Sequence, residues 1–192
     1  NAATRTITNG RILHSLHSYF LEPGHLELPI IYDVSVIRDG GSFTTRRAIA
    51  VQKGEAIFNM SSSFHKKETG PTHQIDMPDI PGPEECISDL EIRKQMIDKV
   101  PERFREFFTR ERPIEIRNLP GEGMFDEPQK KPPYKQVWMK AVAKLPDNDI
   151  CHQAILAYAS DMGLLSTSSS FHSHTIAKGN VRYASLDHGM WF

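Results

Sequence analysis

Apolar and polar residues alternate with period two in four consecutive runs, Arg11 to Leu21, Leu28 to Arg38, Phe43 to Gln52 and Glu55 to Phe64. That period predicts β-strands, since successive side chains of a strand point to opposite faces. In the second run Ile30, Tyr32, Val34 and Val36 share a face; in the fourth, Ala56, Phe58, Met60, Ser62 and Phe64 do. Asp39-Gly40 and Lys53-Gly54 are hairpin signals, so the runs are expected to pair as antiparallel neighbours. A sheet with one apolar face needs a covering element. Residues before Gly10 read as the end of a helix stopped at Asn9-Gly10, a dipeptide suited to a left-handed C-cap, and the expectation is that most of this covering helix is missing.

From His65 to Pro133 the pattern changes, because ten of the thirteen prolines lie between Pro71 and Pro133. This stretch reads as a connector holding one amphipathic helix, Ile87 to Phe108, anchored by Leu90, Met96, Ile97, Phe104, Phe107 and Phe108. A strand over Lys135 to Ala143 follows, then a helix from about Asp149 to Leu165 with Asp147 or Asn148 as N-cap. That helix is apolar nearly all round, which predicts that it is the most buried helix of the chain, wrapped by a sheet. A Ser-rich loop, Ser166 to Ser173, leads to a last strand running from near Val181 to Phe192.

Composition narrows the field. With 192 residues, 39% hydrophobic, the chain suffices for one ordinary domain or two small units. A formal net charge of −1 leaves no basic stripe for phosphates, so nucleic acid is not expected as a partner. No apolar run reaches the roughly 20 residues of a membrane span, and no signal peptide is expected. Cys86 and Cys151 make no disulfide framework, which points to an intracellular protein.

Among titratable residues Asp187 stands out, a carboxylate set in a strand among Leu186, Met190, Trp191 and Phe192. Such a group in a buried strand must be hydrogen-bonded or have its pKa raised. His188 is expected on the opposite face of that strand, so no simple dyad with Asp187 follows. His14 and His17 on a strand, and His172-x-His174 in a polar loop, lack a third ligand at a recognisable spacing, so no metal is assigned. Asp161 reads as hydrogen-bonded to a neighbouring backbone or hydroxyl group. Gly121-Glu122-Gly123 lacks the flanking strand and helix of a dinucleotide loop.

Several stretches, in order, resemble the acyl-CoA thioesterase II family: His14 to Gly24, Arg38-Asp39-Gly40-Gly41-Ser42-Phe43, His73-Gln74 to Met77-Pro78, Arg112-Pro113-Ile114-Glu115, His152-Gln153 to Tyr158-Ala159-Ser160-Asp161, and Ser185 to Phe192. The resemblance implies an α+β tandem hotdog, each unit a long helix wrapped by an antiparallel sheet. Residues 1–64 are then an N-terminal unit, 65–133 the connector and 134–192 the start of a C-terminal unit, both units truncated. An echo supports the repeat: Gly10-Arg11 then Ser15-Leu16-His17-Ser18 resembles Gly179 to Arg182 then Ser185-Leu186-Asp187-His188.

The implied activity is hydrolysis of fatty acyl-CoA to free acid and coenzyme A without metal or redox cofactor. Asp187 matches the family's catalytic aspartate; the partner Ser or Thr and Gln are expected beyond Phe192, leaving this piece alone inactive. Arg46 and Arg47 are candidates for a coenzyme A phosphate. A homo-oligomer is compatible with this reading, as is a cytoplasmic or a peroxisomal location. Two alternatives stay open: a hotdog hydratase or dehydratase on acyl-CoA, against which stands the missing Gly-Asp-x-Asn-Pro segment, and an acyl-CoA binding module without turnover.

Overall fold

The computed structural model describes residues 1–8, 10–121, 132, 134–170 and 182–192, with the side chains of residues 166, 169 and 170 excepted. Asn9 of the expected cap, Glu122 and Gly123, His172 and His174, and 179–181 of the echo lie outside the described residues. The chain divides into two compact units, one of Asn1–Thr72, Pro146–Asp161 and Ala184–Phe192, the other of His73–Leu145 and Met162–Tyr183.

The first unit is built on a five-stranded antiparallel sheet: β1 (Ile12–Phe20), β2 (Ile31–Asp39), β3 (Phe43–Gln52), β4 (Glu55–His65) and a strand from the far end of the sequence, Asp187–Trp191. Their order is β2-β3-β4-β1 and then this last strand, which pairs with β1. The expected hairpins form. Between β3 and β4 Lys53 (φ 51°) and Gly54 (φ 84°) both take left-handed conformations, the two-residue turn whose twist matches that of the strands. Between β2 and β3 the Gly40 N–H donates to the Phe43 carbonyl at 2.9 Å.

Alternation along β3 sends Thr44, Arg46, Ala48 and Ala50 inward, where they are buried with Leu16, Ser18, Ser62 and Phe64. Gln52 ties down the β1–β2 connection: its amide donates to the carbonyls of His25 and Leu28, and its oxygen accepts from the His25 N–H. Ahead of β1 a single 3-10 turn, Thr4–Thr6, stands where the helix end was expected, with Ala3 buried beside it. The face shared by Ile30, Tyr32 and Val36 is largely exposed.

The same unit holds a helix over Asp149–Ser160, started by Asn148, whose side chain accepts from the N–H groups of Ile150 and Cys151. It meets β1 at a bulge between Leu13 and Ser15, where Gln153 donates to the Leu13 carbonyl at 2.7 Å. Two expectations for this helix are corrected. It ends at Ser160 rather than Leu165, because Gly163 (φ 93°) leaves the helical region, and Leu164–Ser170 form a separate short helix. Nor is it wrapped: Ala159 is buried, but Leu156 and Tyr158 are 54% and 53% exposed, since the sheet covers one side of it only.

The second unit carries a three-stranded antiparallel sheet in which β6 (Ile114–Asn118) lies between β5 (Ile87–Ser88) and β7 (Val137–Ala141). The single helix expected over Ile87 to Phe108 is in fact two, α1 (Asp89–Gln95) and α2 (Glu102–Thr109), with a 3-10 turn at Ile97–Lys99 between them. Pro101, which lacks an N–H and pushes Val100 into extended geometry, prevents one continuous helix. Ser88 and Glu91 close a capping box over α1, each side chain bonded to the other residue's N–H. Asp89 and Arg93, both buried, pair at 3.0 Å one helical turn apart. In chain order Asp149–Ser160 is α3, Leu164–Ser170 is α4 and Asp187–Trp191 is β8.

Candidate active site

Strand β8 was expected to be buried, and it is not. Among the described residues it is an edge strand bonded to β1 alone, so Asp187, Gly189 and Trp191 on its outer face meet solvent while His188 and Met190 turn inward. His188 Nε2 lies 3.0 Å from Ser160 Oγ of α3, and Met190 Sδ lies 3.1 Å from the same oxygen. The Ser185 hydroxyl donates to the carboxylate of Asp161, which follows α3. Asp161 is thus hydrogen-bonded, and His188 faces away from Asp187.

Asp187 meets its partner across the strand pair. The register sets His17 opposite Gly189 and Tyr19 opposite Asp187, so His17 and Asp187 are diagonal neighbours on one face. His17 Nε2 lies 3.3 Å from Asp187 Oδ2, and the two side chains are 53% and 58% exposed. An ionised carboxylate only accepts, so this ring nitrogen carries the proton and donates. Sequence reasoning missed the pairing because the partners are 170 residues apart. One signal was present: the echo between Ser15-Leu16-His17-Ser18 and Ser185-Leu186-Asp187-His188 has that same offset of 170.

The offset fits the register. Adding 170 to a β1 residue turns the pair His17↔Gly189 into Asp187↔Tyr19, itself a pair, and leaves Ser18↔His188 unchanged. The two strands are therefore exchanged by a local two-fold at Ser18 and His188, where the Ser18 hydroxyl donates to the His188 carbonyl. His17 and Asp187 are counterparts under that exchange.

One outward row crosses the sheet through Arg47, Ser61, His17 and Gly189; the next row, inward, runs Arg46, Ser62, Leu16 and Met190. The two candidate arginines therefore point opposite ways. Arg46 is 3% exposed. Its Nε donates to Thr6 Oγ1 (2.8 Å), Nη1 to the carbonyls of Thr45 (3.0 Å) and Arg38 (3.4 Å), and Nη2 to the Thr6 carbonyl (3.3 Å) and Asp39 Oδ1 (2.8 Å). Five N–H donors have five acceptors, which leaves none for a phosphate. Arg47 is exposed and, among the described residues, bonds through Nε alone, to Asn59 Oδ1 at 2.9 Å.

Further along the outer face His14 Nε2 lies 2.8 Å from Ser63 Oγ, and the His14 ring meets those of Phe43 and His65 edge-on. Desolvation, and secondarily the nearby His65, lower the His14 pKa, which favours the neutral ring. His14 and His17 thus have protein partners of different kinds. In the second unit a pocket of about 220 Å³ opens between α1, β6 and Val142, lined by Asp89, Arg93, Arg112 and Ile114 among others. Among the described residues no helix is long and apolar enough to cross a membrane.

Known proteins match this chain along its length. A family model described as acyl-CoA thioesterase matches residues 104–192, and one described as the acyl-CoA thioesterase N-terminal domain matches residues 1–65. Acyl-CoA thioesterase 2 of Haemophilus influenzae is 33% identical over 196 residues, covering 100% of this chain and 67% of the relative. The crystal structure of an acyl-CoA thioesterase II, TesB2, from Mycobacterium marinum superposes with a TM-score of 0.75 at 35% identity, covering 100% of this chain and 66% of that one. A conserved protein with a hot dog fold from Alicyclobacillus acidocaldarius, at 16% identity, shares the fold with a TM-score of 0.58 over 85% of this chain and 56% of its own. The chain spans 61–67% of the length of the curated relatives it matches. The α+β architecture, with helices on an antiparallel sheet, is that of hotdog thioesterases, and the chain belongs to the acyl-CoA thioesterase family.

Proposed function

We propose that the protein hydrolyses fatty acyl-CoA thioesters to the free acid and coenzyme A, and that Asp187 activates the attacking water. The observation that carries this reading is the position of Asp187: its carboxylate stands on an open sheet face with Oδ2 hydrogen-bonded to His17 and Oδ1 without a protein donor among the described residues. Water bonded to Oδ1 gives its proton to the carboxylate as its oxygen adds to the thioester carbonyl. The tetrahedral intermediate then collapses, the C–S bond breaks, and the proton passes to the departing thiolate.

Arg47 fits the same picture. It shares the outer face with Asp187 and lies three strands from Gly189, roughly 14 Å at ordinary strand spacing. A guanidinium with four N–H groups unpartnered among the described residues, at that distance, suits a phosphate of the coenzyme A moiety while the thioester sits near Asp187. The local two-fold between β1 and β8 supports the tandem reading, two hotdog units in one chain.

The test is thiol release by the full-length protein from acyl-CoA esters of several chain lengths, with the free acid quantified in parallel. Equal amounts of acid and thiol are expected. A hydroxyacyl-CoA formed from an enoyl-CoA, or saturable binding without thiol release, would replace the hydrolase reading with one of its rivals.

A further inference from the structure

The geometry around His17 points to a role that the hydrolytic reading of Asp187 does not itself contain: we infer that His17 is the positioning residue that fixes the Asp187 carboxylate for the incoming water. This inference rests on the assignment of Asp187 to the reaction. Three features hold the imidazole in place. The residue opposite His17 is Gly189, which has no side chain, so the ring can lean over the neighbouring strand. A Cβ built on Gly189 would stand 3.9 Å from His17 Cδ2 and 3.7 Å from Trp191 Cη2, so the imidazole and the indole border the same gap above the glycine. On the other side the Tyr19 ring lies 5.0 Å from the His17 ring, centroid to centroid, tilted by 32°.

With the Tyr19 ring on one side and the side-chain-free Gly189 opposite, the ring directs Nε2 at Asp187 Oδ2. A carboxylate on an edge strand and 58% exposed would otherwise rotate among several rotamers, and only some of them present an oxygen to the substrate. Donation to Oδ2 selects one of them and leaves the second oxygen for water. At 3.3 Å the bond is at the long end of the hydrogen-bonding range, as orienting bonds commonly are before substrate binds. Tyr19 and Asp187 are titratable groups beside the ring on β1 and β8, and on β4 the uncharged Ser61 faces it.

Reach is the property to test. In the full-length protein, His17→Gln keeps an N–H donor near the position of Nε2, His17→Asn has the same amide on a shorter stem, and His17→Leu has no donor. Thiol release across acyl-CoA concentrations and a melting curve are measured for each variant, beside Asp187→Asn. His17→Leu and His17→Asn are expected to lower kcat by about ten- to a hundredfold with KM within a few-fold, the scale of misplacing a reacting group by about an ångström. His17→Gln is expected to recover most of that loss, and none of the three to move the melting temperature appreciably, because the ring is half exposed. Normal kcat in His17→Leu together with a collapsed kcat in Asp187→Asn would overturn the inference and leave Asp187 catalytic. Equal loss in the Gln, Asn and Leu variants, tracking a lowered melting temperature, would overturn it in favour of a packing role. Normal kcat in Asp187→Asn would overturn both assignments.

Discussion

Replacing Arg46 with lysine separates a structural arginine from a substrate-binding one. Lysine keeps the charge, and with it any long-range attraction for a coenzyme A phosphate, but loses the planar fork that reaches Thr6, Thr45, Arg38 and Asp39 together. Of the five contacts, those at 3.3 and 3.4 Å are weak, and the ion pair is discounted because Asp39 is 55% exposed. The bonds to Thr6 Oγ1 and the Thr45 carbonyl remain, at about 1 kcal/mol each, so Arg46→Lys is expected to cost about 2 kcal/mol. For a protein of this size that corresponds to a fall of roughly 4–8 °C in Tm. Thermal unfolding measures the loss, and steady-state thiol release at a temperature where both proteins stay folded measures KM. The expected result is a lowered Tm with KM unchanged within about twofold. An unchanged Tm with a KM raised tenfold or more would refute the inward assignment of Arg46.

Arg47→Ala is expected to do the opposite, raising KM for acyl-CoA several-fold with Tm unaltered; substrates lacking the coenzyme A phosphates should be hydrolysed equally by variant and parent. In α1, Ser88→Ala should cost about 1 kcal/mol, read from thermal unfolding, because it removes a helix cap. The Ser88 backbone N–H first, and its hydroxyl second, lower the pKa of Glu91. Glu91 therefore contributes stability above the ordinary carboxylate range, and this is lost as pH falls through its lowered folded value. The Tm difference between the parent and Glu91→Gln should shrink between pH 7 and pH 3; a constant difference would speak against the capping box.

Much of the first unit was legible because its signals are local. Lys53-Gly54 and period-two patterning depend only on neighbouring residues, and the four strands formed where the pattern put them. The same alternation could have separated Arg46 from Arg47, since consecutive strand residues face opposite ways. Strand β6 escaped notice because Ile114 and Ile116 alternate over only five residues inside a proline-rich stretch. The helix after Asn148 was drawn too long because Gly163 lies within an apolar run, where hydrophobic pattern outweighed the breaker. Its burial was overestimated for a related reason: composition gives the apolar circumference of a helix but not how many of its sides find a partner. Asp187 was legible as a candidate, whereas His17 was not, because their contact depends on the register between strands at opposite ends of the chain.

The claim on which the rest depends is that the Asp187 carboxylate activates water. Asp187→Asn keeps the shape and the ability to accept from His17 but removes the base. Measured as thiol release over a range of acyl-CoA concentrations, beside a melting curve, the variant should lose about 10²–10⁴ in kcat. KM should stay near the parent value, and Tm should be unchanged because the side chain is exposed. A variant with near-parental kcat, or one whose lost activity follows a fallen Tm, would contradict the account and make Asp187 a structural residue of the β1–β8 pair.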